Sequence, residues 1–338
     1  MLEGLQAGRA VAAIAVAVFH ANVFLLPQNF YDGEGAGAVF NFGYAGVEFF
    51  FVLSGFIMVL VHRGDFGKSE RVGLFLSKRF LRIYPIYWVI MIVLTALYFA
   101  MPSRGPEHAR DLSEILASFL LVPTVEGPIM AVAWTLQHEM LFYLVFAVLI
   151  WRPRIGIGLF GAWMIGCLAA LPFYGTLPYP LDFLLKSHNL LFALGIGTAW
   201  IYTRFSQQAS RGLFWIGLAV FLATGLGETV AQAPLPRAVL PLMYGVGSAF
   251  MLIGLTRGDF AVPRWLSFLG DASYSIYLVH LPAMNFCAVI IKAGGLHEFL
   301  PPFAMLVLIA VIATLVGCIV HVLIEKPLIY GARKTILA

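Results

Sequence analysis

Residues 131–150 read AVAWTLQHEMLFYLVFAVLI, twenty positions among which Glu139 carries the only formal charge. At a rise of about 1.5 Å per residue, a helix of this length covers roughly 30 Å, the thickness of a bilayer's hydrocarbon core. The stretch therefore reads as a membrane-spanning helix that carries a carboxylate half-way along. Outward from it the same pattern recurs. Apolar segments near spanning length fall at 10–26, 44–61, 83–100, 131–150, 156–173, 189–203, 212–226, 238–255, 272–291 and 302–324. Those at 189–203 and 212–226 are the shortest. A further apolar run, 115–122, ends at Pro123 and is too short to cross, so a re-entrant or interfacial piece is expected there. The fold class is all-α, a polytopic membrane helix bundle of about ten transmembrane helices.

Composition agrees. Of 338 residues, 61% are hydrophobic and 11% charged, with a mean hydropathy of +0.91, whereas soluble domains carry about 25% charged residues. The net charge of +4 comes from basic residues between apolar spans, not from a Lys/Arg run with interleaved aromatics, which argues against a nucleic-acid partner. Cys167, Cys287 and Cys318 each lie inside an apolar run without a CxxC or a His at ligand spacing, so neither disulfide nor metal is expected. The run 10–26 lacks a small-x-small cleavage site and reads as a retained first helix. Nothing marks a repeat or a linker, which leaves one domain over 1–338.

Orientation follows from the basic residues. With the N-terminus inside, 16 of the 21 Lys and Arg fall in cytoplasmic segments. The outer loops keep Arg104, Arg110, Lys186, Arg237 and Lys292, which is the sense of the positive-inside rule. Both termini are expected in the cytoplasm.

Ionisable residues inside spans cost about 2.5–3.5 kcal/mol on insertion scales and are site candidates by default. His20, Glu139 and His280 lie roughly 15, 16 and 12 Å from the cytoplasmic ends of their spans, in one layer. Two imidazoles and a carboxylate at one depth can supply a general base and the group that orients it. The alternative is that each is a bundle residue satisfied by a backbone carbonyl or a hydroxyl. His62 and His321, near span ends, suit snorkelling or a structural hydrogen bond. Solvation accounts for His108, His188 and His297 in outer loops. Arg79 and Arg82 share a helix face at the membrane rim beside Lys78, an arrangement that suits a phosphorylated ligand or, alternatively, anionic lipid. Arg9 stands about three turns before His20 on nearly the same face. Ser54, in Leu53-Ser54-Gly55-Phe56, permits close helix approach, and we group it with the three arginines as a binding candidate. Glu48, near the outer end of its span, either lines an acceptor path or is simply wet.

Several of these residues stand in an ordered set of motifs. Leu5-Gln6-Ala7-Gly8-Arg9 leads to Phe19-His20, and the run from Gly46 to Phe56 reads GVEFFFVLSGF. Arg79 and Arg82 form an RxxR. Trp134-Thr135-Leu136-Gln137-His138-Glu139 is followed by Phe142-Tyr143, and Ser273-Tyr274-Ser275-Ile276-Tyr277-Leu278-Val279-His280 precedes Glu325-Lys326-Pro327. In this order, over nearly the whole chain, the set resembles the membrane acyltransferase family 3, and within it the exopolysaccharide-modifying branch. Two positions depart from the pattern: Glu48 stands where the family usually has Asp, and Gly8 where a Leu commonly precedes the first-helix Arg.

The resemblance implies an O-acyltransferase of the bacterial plasma membrane, multi-pass, taking acetyl or another short acyl group from acyl-CoA. The acceptor it implies is a hydroxyl of an exopolysaccharide, surface glycan or lipid-linked saccharide. It implies His20, Glu139 and His280 as catalytic residues. Arg9, Arg79, Arg82 and Ser54 would bind acetyl-CoA, with no metal and with membrane lipids as surroundings. On this reading Glu139 orients the His20 imidazole and His280 contacts the thioester. No appended extracytoplasmic domain is read, so spans and short loops are expected to recognise the acceptor. A transporter or flippase of a glycan or acyl group is the competing expectation, since central polar residues in interrupted spans suit one too. No repeat relates the two halves, however, and the arginine pair fits a phosphorylated cosubstrate better.

Overall fold

The computed structural model describes residues 3–233 and 235–336. Met1 and Ala338, the termini expected in the cytoplasm, lie outside them. Helix α1, Glu3–His20, runs into a π-helical turn at Ala21–Leu25. Next come α2 (Gly46–His62) and α3 (Arg71–Ala100), then the short α4 (Leu112–Phe119), α5 (Trp134–Trp151) and α6 (Pro153–Ala170). Helices α7 (Leu190–Ile201), α8 (Gln207–Thr229) and α9 (Leu240–Arg257) precede α10 (Arg264–Ala293). Finally α11 (Pro302–Val320) passes through a second π-helical turn, His321–Glu325, into α12 (Lys326–Ile336). Without water to pair backbone groups, a chain this apolar satisfies them within helices. Pro153 and Pro302 occupy first-turn positions where the missing N–H costs nothing.

Among the described residues nine helical stretches are long and apolar enough to cross a membrane. The expected span at 189–203 is shorter than the other nine. It is the 12-residue α7, about 18 Å long. Its apolar residues Leu190, Leu191, Phe192 and Ala199 are buried against α2 and α9, so its hydrophobicity serves packing inside the bundle. A methyl group on Gly55 would strike the Phe192 carbonyl, and one on Gly195 the Val52 carbonyl, so both positions require glycine for the α2–α7 approach.

Contacts fix the direction of each helix. Arg79 at the start of α3 meets His62 at the end of α2, Nη2 to Nε2 3.1 Å. The Gly67 amide donates to the Ile150 carbonyl at the end of α5 (2.9 Å). Gln6 of α1 donates to Asp271 near the start of α10. Ser275 donates to Glu325 beyond α11 (2.7 Å), and Arg211 of α8 reaches the Asp259 carbonyl after α9 (3.1 Å). One end of the bundle thus gathers the arginines. At the other end Tyr44, before α2, donates to Glu228 at the close of α8 (2.8 Å), and Tyr31 donates to the Leu300 carbonyl before α11 (2.6 Å).

The apolar run 115–122, expected as a re-entrant or interfacial piece, packs against α3. Helix α4 lies against the middle of α3 and its carbonyls are capped there, by Tyr87 on Ser118 (2.6 Å), Trp88 on Phe119 (2.8 Å) and Tyr84 on Leu120 (2.9 Å). Gln137 takes the Val122 carbonyl (3.1 Å). Non-helical backbone survives within a membrane bundle only with such partners.

Candidate active site

Two cavities lie in line along the bundle. The larger, about 440 Å³, opens among α1, α2, α3, α5 and α10, and its charged lining is Arg9, Arg79, Arg82 and Glu139. Three guanidiniums face one carboxylate. Arg9, Arg79 and Glu139 are held by neighbours. Arg9, only 7% exposed, donates to Gln6 Oε1 (2.8 Å), and Gln6 in turn donates to Asp271. Arg82, Asp271, Glu325 and Glu139 are the charged groups around Arg9. Arg79 donates to His62 Nε2, and His62 Nδ1 lies 2.8 Å from Asp65 Oδ2. The Arg79 guanidinium also stacks over the Phe75 and Tyr143 rings at 5.7 Å. Glu139 accepts from Ser54 Oγ (3.1 Å) and from the Tyr143 hydroxyl. Ser273, fully buried, lines this cavity with an unpartnered hydroxyl.

The smaller cavity, about 220 Å³, is lined by His20, Glu48, His188, Trp134, Tyr44 and Phe19, with Ala131 and Val132. Val47 and Tyr277 line both cavities and form the wall between them. Tyr277 is fixed there, its hydroxyl 2.9 Å from Thr135 Oγ1 and 3.0 Å from the Val132 carbonyl.

His20 ends α1 where the helix loosens into its π-helical turn, a distortion often found at functional sites. Its Nδ1 is 2.9 Å from the Val16 carbonyl and 3.2 Å from His280 Nε2. His280 Nδ1 is 2.6 Å from the Tyr277 carbonyl. These partners assign the tautomers. A carbonyl only accepts, so His280 carries its proton on Nδ1 and accepts at Nε2, which makes His20 Nδ1 the donor. His20 Nε2 is left with a free lone pair in the smaller cavity.

The sequence expectations divide accordingly. His20 and His280 meet, as their equal depth implied. Arg9, Arg79, Arg82, Ser54 and Glu139 line one cavity. Among the described residues no hydrogen bond or ion pair joins Glu139 to His20, and the orienting partners of His20 are Val16 and His280 instead. His188, expected in a solvated loop, sits in the smaller cavity with its Nε2 3.6 Å from Glu48 Oε1. His321 makes the expected structural bond, its Nδ1 2.6 Å from Glu325 Oε2. Tyr143 was legible as the i+4 neighbour of Glu139 and Ser273 as the first residue of its motif, whereas Asp271 and His188 carry no local signal.

Residues 2–323 of this chain match the family described as Acyltransferase domain. The chain belongs to that family. It is 32% identical over 321 residues to the exopolysaccharide production protein ExoZ of Rhizobium meliloti (strain 1021), covering 90% of this chain and 95% of that protein. It is 24% identical to acyltransferase MdmB of Streptomyces mycarofaciens, covering 99% of this chain and 94% of that one. Identity to peptidoglycan O-acetyltransferase OatA of Listeria monocytogenes serovar 1/2a is 25%, over 86% of this chain and 50% of OatA. No solved structure matches. The chain is therefore a multi-pass membrane acyltransferase, and this membership displaces the transporter reading. In this acyltransferase the sequence motifs coincide with the cavities. The RxxR and Glu139 lie in the arginine cavity, and His20 and Trp134 in the other.

Proposed function

We propose that this acyltransferase moves an acetyl or another short acyl group from cytoplasmic acyl-CoA to a hydroxyl of an exopolysaccharide, surface glycan or lipid-linked saccharide. What supports the reading is one arrangement: a cavity with three guanidiniums backs onto a second cavity that holds a basic imidazole nitrogen, with one wall between them. The membrane would be the bacterial plasma membrane, with the arginine-bearing end and both termini cytoplasmic.

Arg9, Arg79 and Arg82 supply forked donors for CoA's phosphates, and the apolar wall of the cavity, with Ile57, Met58 and Val61, suits its long thiol arm. The thioester then lies near Ser273 and the Tyr277 wall. The acceptor hydroxyl enters from the smaller cavity and would meet the thioester beside Val47 and Tyr277, which border both cavities. Its oxygen attacks the thioester carbonyl carbon as its proton passes to His20 Nε2. The C–S bond then breaks, and the imidazolium returns the proton to the leaving thiolate, so His20 ends as it began. His280 is a positioning residue: its Nε2 accepts from His20 Nδ1 and holds the ring as positive charge develops. Glu139 acts on the donor side, holding the Ser54 and Tyr143 hydroxyls at the cavity. Purified protein incubated with radiolabelled acetyl-CoA and glycan acceptors should transfer label to the glycan. Label that stays in acetyl-CoA with every acceptor would sink the proposal.

A further inference from the structure

Two residues that line the smaller cavity, Glu48 and His188, carry buried polar atoms that the fold leaves unpaired. Glu48 is 1% exposed, and its Oε2 has no hydrogen-bond partner. Its Oε1 lies 3.6 Å from His188 Nε2, beyond a hydrogen bond, and His188 Nδ1 is unpartnered as well. An unpaired buried carboxylate oxygen is costly, so its persistence calls for a ligand that brings donors. A carboxylate accepts only, and that ligand must supply O–H or N–H groups.

Charge narrows the class. Lys186 Nζ lies 4.7 Å from the centroid of the Trp134 ring, so a cation stands beside the wall that holds Glu48 and the cavity does not select an ammonium ion or an anion. The rest of the wall is aromatic. The Trp134 and His188 rings meet edge to face at 5.3 Å. The Tyr44 hydroxyl is committed to Glu228 at 2.8 Å, so Tyr44 offers its ring rather than a free hydroxyl. Aromatic faces with a few polar groups suit a ring that is apolar above and below and hydroxylated around its edge. A volume of about 220 Å³ falls below the ~300–1,000 Å³ of drug-sized ligand sites, so there is room for a single ring and not for a chain.

Resting on the acyltransferase reading, we infer that the smaller cavity is the acceptor's monosaccharide subsite, where Glu48 and His188 grip neighbouring hydroxyls of one neutral pyranose ring and leave another facing His20 Nε2. Specificity among acceptors then resides in Glu48 and His188, while the donor is recognised across the Tyr277 wall.

The test is photoaffinity labelling with a glucoside whose anomeric substituent carries a diazirine, on full-length protein in a detergent without a sugar headgroup. Labelled peptides should contain residues 44–48, 131–134 or 188, and methyl glucoside should compete. Glu48→Gln should reduce labelling at least tenfold while radiolabelled acetyl-CoA binding stays within twofold. His188→Phe keeps the ring packing on Trp134 and removes both nitrogens, so it should do the same if Glu48→Gln fails to fold. Labelling elsewhere, or undiminished labelling in the folded variants, overturns the subsite. If wild type labels as expected but neither binds nor consumes acetyl-CoA, the donor reading fails and the sugar site stands. Transfer without labelling of the cavity fails the subsite alone.

Discussion

The Nδ1 of His20 is spent on two acceptors, the Val16 carbonyl and His280, and that decides what its replacement does. A general base contributes roughly 10²–10⁴-fold, so His20→Ala should lose transfer by about that factor with acyl-CoA binding intact. His20→Gln should be no better, since an amide accepts a hydrogen bond but takes no proton. Near-normal transfer in folded His20→Ala would dismiss it as the base, and acid-quenched mass spectrometry after donor-only incubation would reveal any acyl-histidine. Arg79 and Arg82 together replaced by Gln should weaken acyl-CoA binding and flatten its salt dependence, because charge-assisted phosphate contacts are removed. Unchanged affinity returns the pair to lipid anchoring. Glu139→Gln keeps volume but loosens the grip on Ser54 and Tyr143, and should lower turnover more than donor affinity. Retained turnover makes Glu139 structural. At this scale the sequence revealed depth but not azimuth. A fixed rise per residue brought His20 and His280 to one level, but nothing local said that Glu139 turns toward the arginines.

Among the elements, α4 and α7 were the hardest to read, for different physical reasons. Helix α7 is apolar because it packs inside the bundle, and hydropathy does not distinguish that from lipid, whereas α4 buries Ser118 and leaves Leu112 and Leu116 exposed. The length of α4, ending before Pro123, excluded a span, whereas α7 with its flanking turns came close to spanning length. The carbonyls at the C-terminal end of α4 depend on side chains of α3. Tyr87→Phe removes the side-chain donor on the Ser118 carbonyl, which keeps only its backbone partners such as the Leu121 amide (3.0 Å), and a lost buried hydrogen bond of this kind costs about 0.5–1.5 kcal/mol. Thermal unfolding in detergent should show the loss as a lowered Tm, and an unchanged Tm would mean that the segment is held some other way. The glycines of the α2–α7 crossing were legible only as small residues, since which backbone each approaches depends on a partner 140 positions away.

For the whole molecule the question is parity. Among the described residues nine stretches qualify as spans by length and composition, and an odd number of crossings would put the termini on opposite sides, contrary to what the basic residues indicate. The resolution lies in the direction of α7. It runs alongside α2 in the same sense, with His188 3.6 Å from Glu48 before its start and Tyr202 5.4 Å from Phe56 after its end. The chain therefore passes from one end of the bundle to the other through α7 despite its length, which makes ten passes, and Lys326 at the start of α12 returns to Phe268 near the start of α10 (5.6 Å). Arg63, Arg79, Arg82, Arg152 and Arg264 all belong to that end, as the positive-inside rule requires of a cytoplasmic face. Reporter fusions in the α2–α3 turn at 66–70 and after Ala338 should both read cytoplasmic, and one at 174–180 should read extracytoplasmic. A cytoplasmic signal at 66–70 with an external one after Ala338 would mean that α7 does not complete a pass. An external signal at 66–70 would do more damage, because the three guanidiniums would then open to a compartment without acyl-CoA and the proposed donor side would have no donor.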